Sequence, residues 1–284
     1  MRTIARLHEA AYAPIGDLLT YSPLPSENLS QIDPFLFLNH HGPQHYGAHN
    51  KGLPFGPHPH RGMETVTFIL EGDILHEDTS GAQSIITAGG VQWMTAGRGL
   101  VHVEESSPAF KEHGGDLEIL QLWLNLPAKL KMTAPRYLGL QKDSIPVYAA
   151  DDGKVKVQII SGSWDGQQGA FHSLTDVQLN VISFEPDGEL TLRAPSNRNV
   201  LFYVIRGGLL VNGQAVTSLR LVEFNSDGDT IQVTSEGESV LLFGFAKPLG
   251  EPVVAQGPFV MNTEDEIHQA YMDYQMGKFG HLQK

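Results

Sequence analysis

The chain has no cysteine, which excludes disulfides, zinc–thiolate sites, iron–sulfur clusters and a cysteine nucleophile. Any metal it holds must be bound through nitrogen and oxygen. Basic residues are also scarce. Against 32 Asp and Glu stand only 19 Lys and Arg, a formal net charge of −13, and no basic run occurs. Direct binding of nucleic acid is therefore not expected, because it rests on clustered cations that displace counterions. The acidic excess reads as a solvated surface. No apolar run approaches the roughly 20 residues of a membrane helix. The N-terminal MRTIARLHEAAYAPIGDLL has no apolar core flanked by a cleavage site, so no signal peptide is expected. A soluble cytoplasmic protein without membrane association is the expectation.

What is present is a texture of short β-rich runs broken by glycine. Glu64 to Glu71 reads ETVTFILE and ends at Gly72-Asp73; further runs cover residues 82–87, 91–95 and 100–104. LEILQLWLNL, residues 117–126, is a longer strand that Pro127 ends, because proline cannot donate to a sheet ladder. After Lys142 the pattern returns at residues 155–161, 178–185, 200–205, 208–212, 218–224 and 239–245. Asn212-Gly213 is a hairpin signal, since both residues tolerate positive φ. Such strands predict an all-β sandwich or barrel. FILEG at 68–72 and YVIRG at 203–207 hold comparable places in the two halves, which favours two tandem β-barrels over an unrelated sandwich. The expected domains are 1–135 and 136–284. In the tail, Thr263 and Glu266 form a capping-box signature. Ile267, Ala270, Tyr271 and Tyr274 then share one helical face, and Gly277 is placed to end the helix. That short C-terminal helix is expected to pack against a barrel and carries no assigned chemistry.

Chemistry enters at HPHRGME. His58 and His60 stand two residues apart, and His102-Val103-Glu104 repeats the spacing with a carboxylate. Along a strand, residues i and i+2 face the same way, roughly 7 Å apart. Two such pairs on neighbouring strands would aim four donors into one interior. Three imidazoles and a carboxylate suit a divalent transition metal.

Those residues carry a resemblance. HPHRGMETVTFILEGD, VQWMTAGRGLVHVEES, LEILQLWLNLPAKLKM and GPFVMNTEDEIHQAYMDYQMGKFGH resemble the pirin family, bicupins of the cupin superfamily. The resemblance runs from about Asp33 to the C-terminus. It implies two cupin barrels, with one Fe(II) per chain in the N-terminal barrel on His58, His60, His102 and Glu104; other divalent transition metals are possible. In general cupin motifs the glutamate after HxH, here Glu64, is often the ligand, whereas the pirin pattern uses the later one, here Glu104. Gly97 precedes His102 by more residues than the general second cupin motif prescribes.

Other candidates are weaker. His40, His41, His45 and His49 in NHHGPQHYGAHN read as a solvated loop at a cavity mouth, crowded by glycine and asparagine. Glu64 is expected to hydrogen-bond near the site, His76 and His113 to lie on the surface, and Trp93 and Met94 to pack in the core. Between Ser173 and Ile267 there is no histidine, and the repeat places Arg193-Ala194-Pro195 where the HxH pair would stand. No imidazole site can be built there. A degenerate second barrel is expected.

Two functions follow from the resemblance. One is a quercetin 2,3-dioxygenase, in which Glu104 would both ligate the metal and serve as general base on a flavonol, with dioxygen as co-substrate. The other is a non-enzymatic, iron-dependent redox regulator acting through a protein partner, to which the acidic surface would suit a basic protein. A monomer is expected in both.

Overall fold

The computed structural model describes residues 1–282, almost wholly antiparallel strands with two short α-helices, Pro108–His113 and Glu264–Gln275. Contacts divide the chain into two compact units that are interleaved along the sequence. One holds Tyr12–Tyr21, Leu36–Lys142 and the chain from Leu249 on. The other holds Met1–Ala11, Ser22–Phe35 and Asp143–Pro248. This differs from the linear split expected at residues 135 and 136. The N-terminal strand serves the second unit, and the C-terminal helix serves the first.

Each unit combines a seven-stranded and a four-stranded sheet, and the two strand orders correspond. In the first unit the larger sheet runs Arg136–Leu140, Val91–Thr95, Met63–Glu71, Gly115–Asn125, Phe35–Tyr46 before two further strands. The smaller runs Phe55–His60, Leu100–Glu105, Asp73–Asp78, Gln83–Thr87. In the second unit the larger sheet runs Ile4–Glu9, Arg220–Phe224, Asn199–Arg206, Ser239–Ala246, Val177–Phe184 and onward. Its smaller sheet runs Glu189–Arg193, Thr230–Ser235, Gly208–Val211, Gln214–Thr217. FILEG and YVIRG thus close corresponding strands, and Gly72 and Gly207 both have positive φ, +81° and +75°. Asn212 and Gly213 take φ of 50° and 83° between paired strands, as the hairpin signal predicts.

The first strand of each larger sheet explains the interleaving. Arg136–Leu140 covers the edge of Val91–Thr95 in the first unit. In the second unit the strand beside Arg220–Phe224 is Ile4–Glu9. The first residues of the chain thus cover the edge that Arg220–Phe224 would otherwise present.

Phe35–Tyr46 is a 12-residue strand, not a loop. Its residues are buried on both faces as far as His41, so His40 and His41 lie inside while His45 and His49 are exposed. His113, in the last turn of the first helix, is exposed; Trp93 and Met94 are buried. The tail helix has the expected capping box between Thr263 and Glu266, and Gly277 follows with φ +73°. Among the described residues no helix is long and apolar enough to cross a membrane.

Deleting Met1–Ala11 should destabilise the second unit. Ile4 and Leu7 pack against its core, and burying two such side chains is worth about 2–4 kcal/mol. The denaturation midpoint should fall; an unchanged midpoint would contradict this role for the strand.

Candidate metal centre

Register brings the histidines together. Leu100–Glu105 pairs with Phe55–His60 so that His102 stands opposite His58. The same strand pairs on its other side with Asp73–Asp78, placing His76 opposite Glu104 and Asp78 opposite His102. His58, His60 and His102 each offer a ring nitrogen within 4.8 Å of the others. Their ring centroids lie 4.3 to 5.0 Å apart.

The nitrogens are poised as ligands. His58 Nδ1 contacts the Gly56 carbonyl at 2.8 Å and His60 Nδ1 the Pro258 carbonyl at 3.2 Å. Carbonyls only accept, so each Nδ1 carries the proton and each Nε2 keeps its lone pair. His60 Nε2 and both ring nitrogens of His102 are buried without a hydrogen-bond partner. Burial, with His58 adding to it, lowers the His60 pKa to about 3. Burial, then His60, His58 and His76, holds His102 well below the ordinary range. Neutral, unsatisfied imidazoles are what a divalent transition metal requires, so the residues present fit such an ion.

Glu104 lies on the same inward face but outside that mutual 4.8 Å group. Three side chains hold its carboxylate: Thr67 and Gln92 donate to Oε1 at 3.0 and 2.9 Å, and Gln121 to Oε2 at 2.6 Å. Tyr137 in turn donates to Gln92 Oε1 at 2.8 Å. Glu64 does not belong here. Thr67 and Gln92 reach Glu104, while Glu64 and its cross-strand partner Thr95 occupy the opposite faces of the same two strands. Burial raises the Glu64 pKa, but strand alternation directs the group away from the histidines.

His76, expected on the surface, is buried. Its ring stacks on Tyr137 at 3.8 Å, lies 5.4 Å from that of His102, and bonds Asp78 through Nε2 at 2.9 Å. His58 is half-buried, and Phe37 and Trp123 form an aromatic pair with centroids 4.6 Å apart. Trp123 also meets the edge of His60 at 5.3 Å, and its Nε1–H is buried without a partner. None of the four histidines in NHHGPQHYGAHN joins the group. His41 instead bonds Thr20 and lies against Phe55.

The C-terminal segment braces the ligand strand. Besides the Pro258 contact, Arg61 pairs with Asp273 at 2.9 Å, lies over the Phe279 ring and donates to the Arg98 carbonyl. Val260 N–H donates to the Arg61 carbonyl. Gly62 has φ +82°, and a Cβ there would stand 2.0 Å from the Val260 oxygen, so glycine is required where the tail crosses. Buried Lys131 donates to the Gly62 and Val260 carbonyls and to Asn125.

Two outcomes follow. Asp273→Asn should keep the fold while weakening metal affinity about tenfold, the usual scale for groups that orient ligands; unchanged affinity by competition titration would contradict the brace. In the metal-free protein, unfolded imidazoles take protons below about pH 6.5, whereas His60 and His41 stay neutral when folded down to about 3. Stability should therefore be full above pH 6.5 and decline as pH falls from there towards 3. Urea midpoints that do not move across that window would contradict it.

The pirin family model matches residues 18–124, and that of the pirin C-terminal cupin domain matches residues 179–280. A Pseudomonas aeruginosa protein named "Putative quercetin 2,3-dioxygenase" is 34% identical over 94% of this chain and 92% of its own length. The crystal structure of a quercetin 2,3-dioxygenase from Acinetobacter baumannii superposes with a TM-score of 0.93, 33% identity and 99% coverage of both chains. A bacterial pirin from Escherichia coli in complex with nickel(II) shares the fold, with a TM-score of 0.68 at 22% identity over 86% of this chain and 99% of that one. With this fold and these two matched halves, the chain belongs to the pirin family of the cupin superfamily.

Proposed function

We propose that this chain is a quercetin 2,3-dioxygenase-type enzyme that opens flavonol rings with dioxygen, releasing carbon monoxide. It would use one divalent transition metal, Fe(II) by preference, on His58, His60, His102 and Glu104. When bound, the metal supplies Lewis-acid polarisation of the substrate's adjacent hydroxyl and carbonyl oxygens and redox access to dioxygen. The observation that carries the reading is the aromatic wall beside the histidines. Phe37 and Trp123 offer flat apolar surface next to His60, which suits a planar polyphenol. The unpartnered Trp123 Nε1–H supplies a donor for one of its oxygens.

Glu104 would serve as the base. The donors on Oε1 fix the plane of the carboxylate, and Gln121 alone occupies Oε2. A carboxylate oxygen has a second lone pair, with which Oε2 can ligate or take the proton of the substrate's hydroxyl. The line from Tyr137 through Gln92 holds that geometry. The relatives support the reaction class: one is named "Putative quercetin 2,3-dioxygenase", and a similar solved structure is that of a quercetin 2,3-dioxygenase.

Iron-loaded protein should consume oxygen and release carbon monoxide with quercetin. Glu104→Gln keeps size and an oxygen donor but removes the base, and it should lose about 10²–10⁴ in turnover in preparations that still hold iron. His58→Ala should fail by losing metal. Oxygen-electrode and carbon monoxide measurements decide the matter. If no flavonol is consumed above the free-iron background, the enzymatic reading falls and the iron-dependent regulator takes its place.

A further inference from the structure

The second barrel has lost the metal ligands but not the cavity. In the first unit His58 faces His102 between the strands Phe55–His60 and Leu100–Glu105. The corresponding strands, Glu189–Arg193 and Thr230–Ser235, pair Leu192 with Ile231 and Leu190 with Val233, all part of one aliphatic core. By this register Leu192 and Ile231 stand where His58 and His102 do, and buried Ala194, within the Arg193-Ala194-Pro195 run, stands where His60 does. Above them lies a cavity of 520 Å³, lined by Tyr148, Trp164, Leu190, Phe245, Gln178 and Arg193 among others. Its walls come from Glu189–Arg193, Val177–Phe184 and Ser239–Ala246, the counterparts of the strands that carry His58, Phe37 and Trp123 at the metal centre.

We propose that this cavity is a binding site for a planar aromatic carboxylate, separate from the metal centre and independent of the reaction assigned to it. Its volume lies within the range of small-molecule sites, and such sites combine apolar walls with few polar groups. Trp164, Phe245 and Tyr148 present ring surface to a flat apolar ligand. Arg193 supplies the charge. It is exposed at the rim and has no hydrogen-bond or ion-pair partner among the described residues. Nearby Arg198, by contrast, is already paired with Asp176. A planar guanidinium binds a carboxylate through two parallel hydrogen bonds. The acidic lining group Asp165 raises the pKa of the neighbouring Tyr148 hydroxyl and keeps its own negative charge, which Arg193 must outweigh for a carboxylate to bind.

The floor is polar where this barrel is otherwise aliphatic. Gln178 accepts from Ser163 N–H and donates to Asn180 Oδ1. Asn180 lies on the same face of the strand, one step deeper, fully buried, with its Nδ2 unpartnered. Buried unsatisfied amides are rare in structural cores, and of this pair Gln178 itself lines the cavity.

The test is calorimetric titration of the full-length protein with 2-naphthoate and with its uncharged counterpart, 2-naphthamide. The carboxylate should bind with a dissociation constant of about 1 mM or tighter, and the amide about tenfold more weakly. Arg193→Gln, at an exposed position, should erase that difference, Trp164→Ala should weaken both probes, and His58→Ala should change neither. The proposal is overturned if naphthoate does not bind at 1 mM, if Arg193→Gln or Trp164→Ala leaves its affinity unchanged, or if His58→Ala abolishes binding. The last result would place the probe at the metal centre. Loss of flavonol turnover with naphthoate binding intact would overturn only the dioxygenase assignment.

Discussion

Three imidazoles facing one another inside a barrel, with His60 Nε2 and both His102 nitrogens unsatisfied, set the constraint on which the first unit is organised. A buried polar atom without a partner costs about 1–3 kcal/mol, and here three are gathered at one point. A cation that accepts their lone pairs removes that cost, and burial keeps the rings deprotonated and available. The arrangement depends on strand register. A shift of one residue between Leu100–Glu105 and Phe55–His60 would turn His102 and Glu104 to the opposite face.

The register is locked from outside the barrel strands. The tail fixes the ligand strand through a backbone bond at Arg61, the Pro258 carbonyl on His60 and the buried pair of Arg61 with Asp273. Removing one partner of a buried pair is expensive, typically about 3–5 kcal/mol. Lys131 adds a point of closure. Burial lowers its pKa to about 8, and all three ammonium donors find acceptors, two of them on carbonyls of the crossing segments. The terminal helix, which bears no ligand, thereby belongs to the metal centre's support.

Much of this was legible in the sequence because it is local. The i, i+2 pairs announced a shared strand face, the capping box gave the helix start, and the Asn-Gly and Gly72/Gly207 positions marked turns. What stayed hidden depends on partners distant in the chain. His76 reads as a surface residue near a turn; only pairing with Leu100–Glu105 carries it inside. His40 and His41 sit among glycine and asparagine, yet a long doubly buried strand overrides that composition. The destination of both chain ends could not be read either, since Ile4–Glu9 and the tail complete units whose other strands lie more than 100 residues away. The alternation that brought His102 and Glu104 to one face also sends Glu64 to the other, but only the sheet pairings show which face is inward.

The two barrels share one strand order but have different interiors. Exchange of histidine for leucine, isoleucine and valine at the paired inward positions turns a polar, ligand-rich interior into an aliphatic core, while the mouth above it stays open. The central claim, that the histidine cluster of the first barrel is the metal centre, is tested most directly by anomalous diffraction at the iron edge from crystals grown with Fe(II) under anaerobic conditions. The account predicts one peak per chain, bonded to His58, His60 and His102. A peak elsewhere, or none at that position in iron-replete crystals, would contradict it.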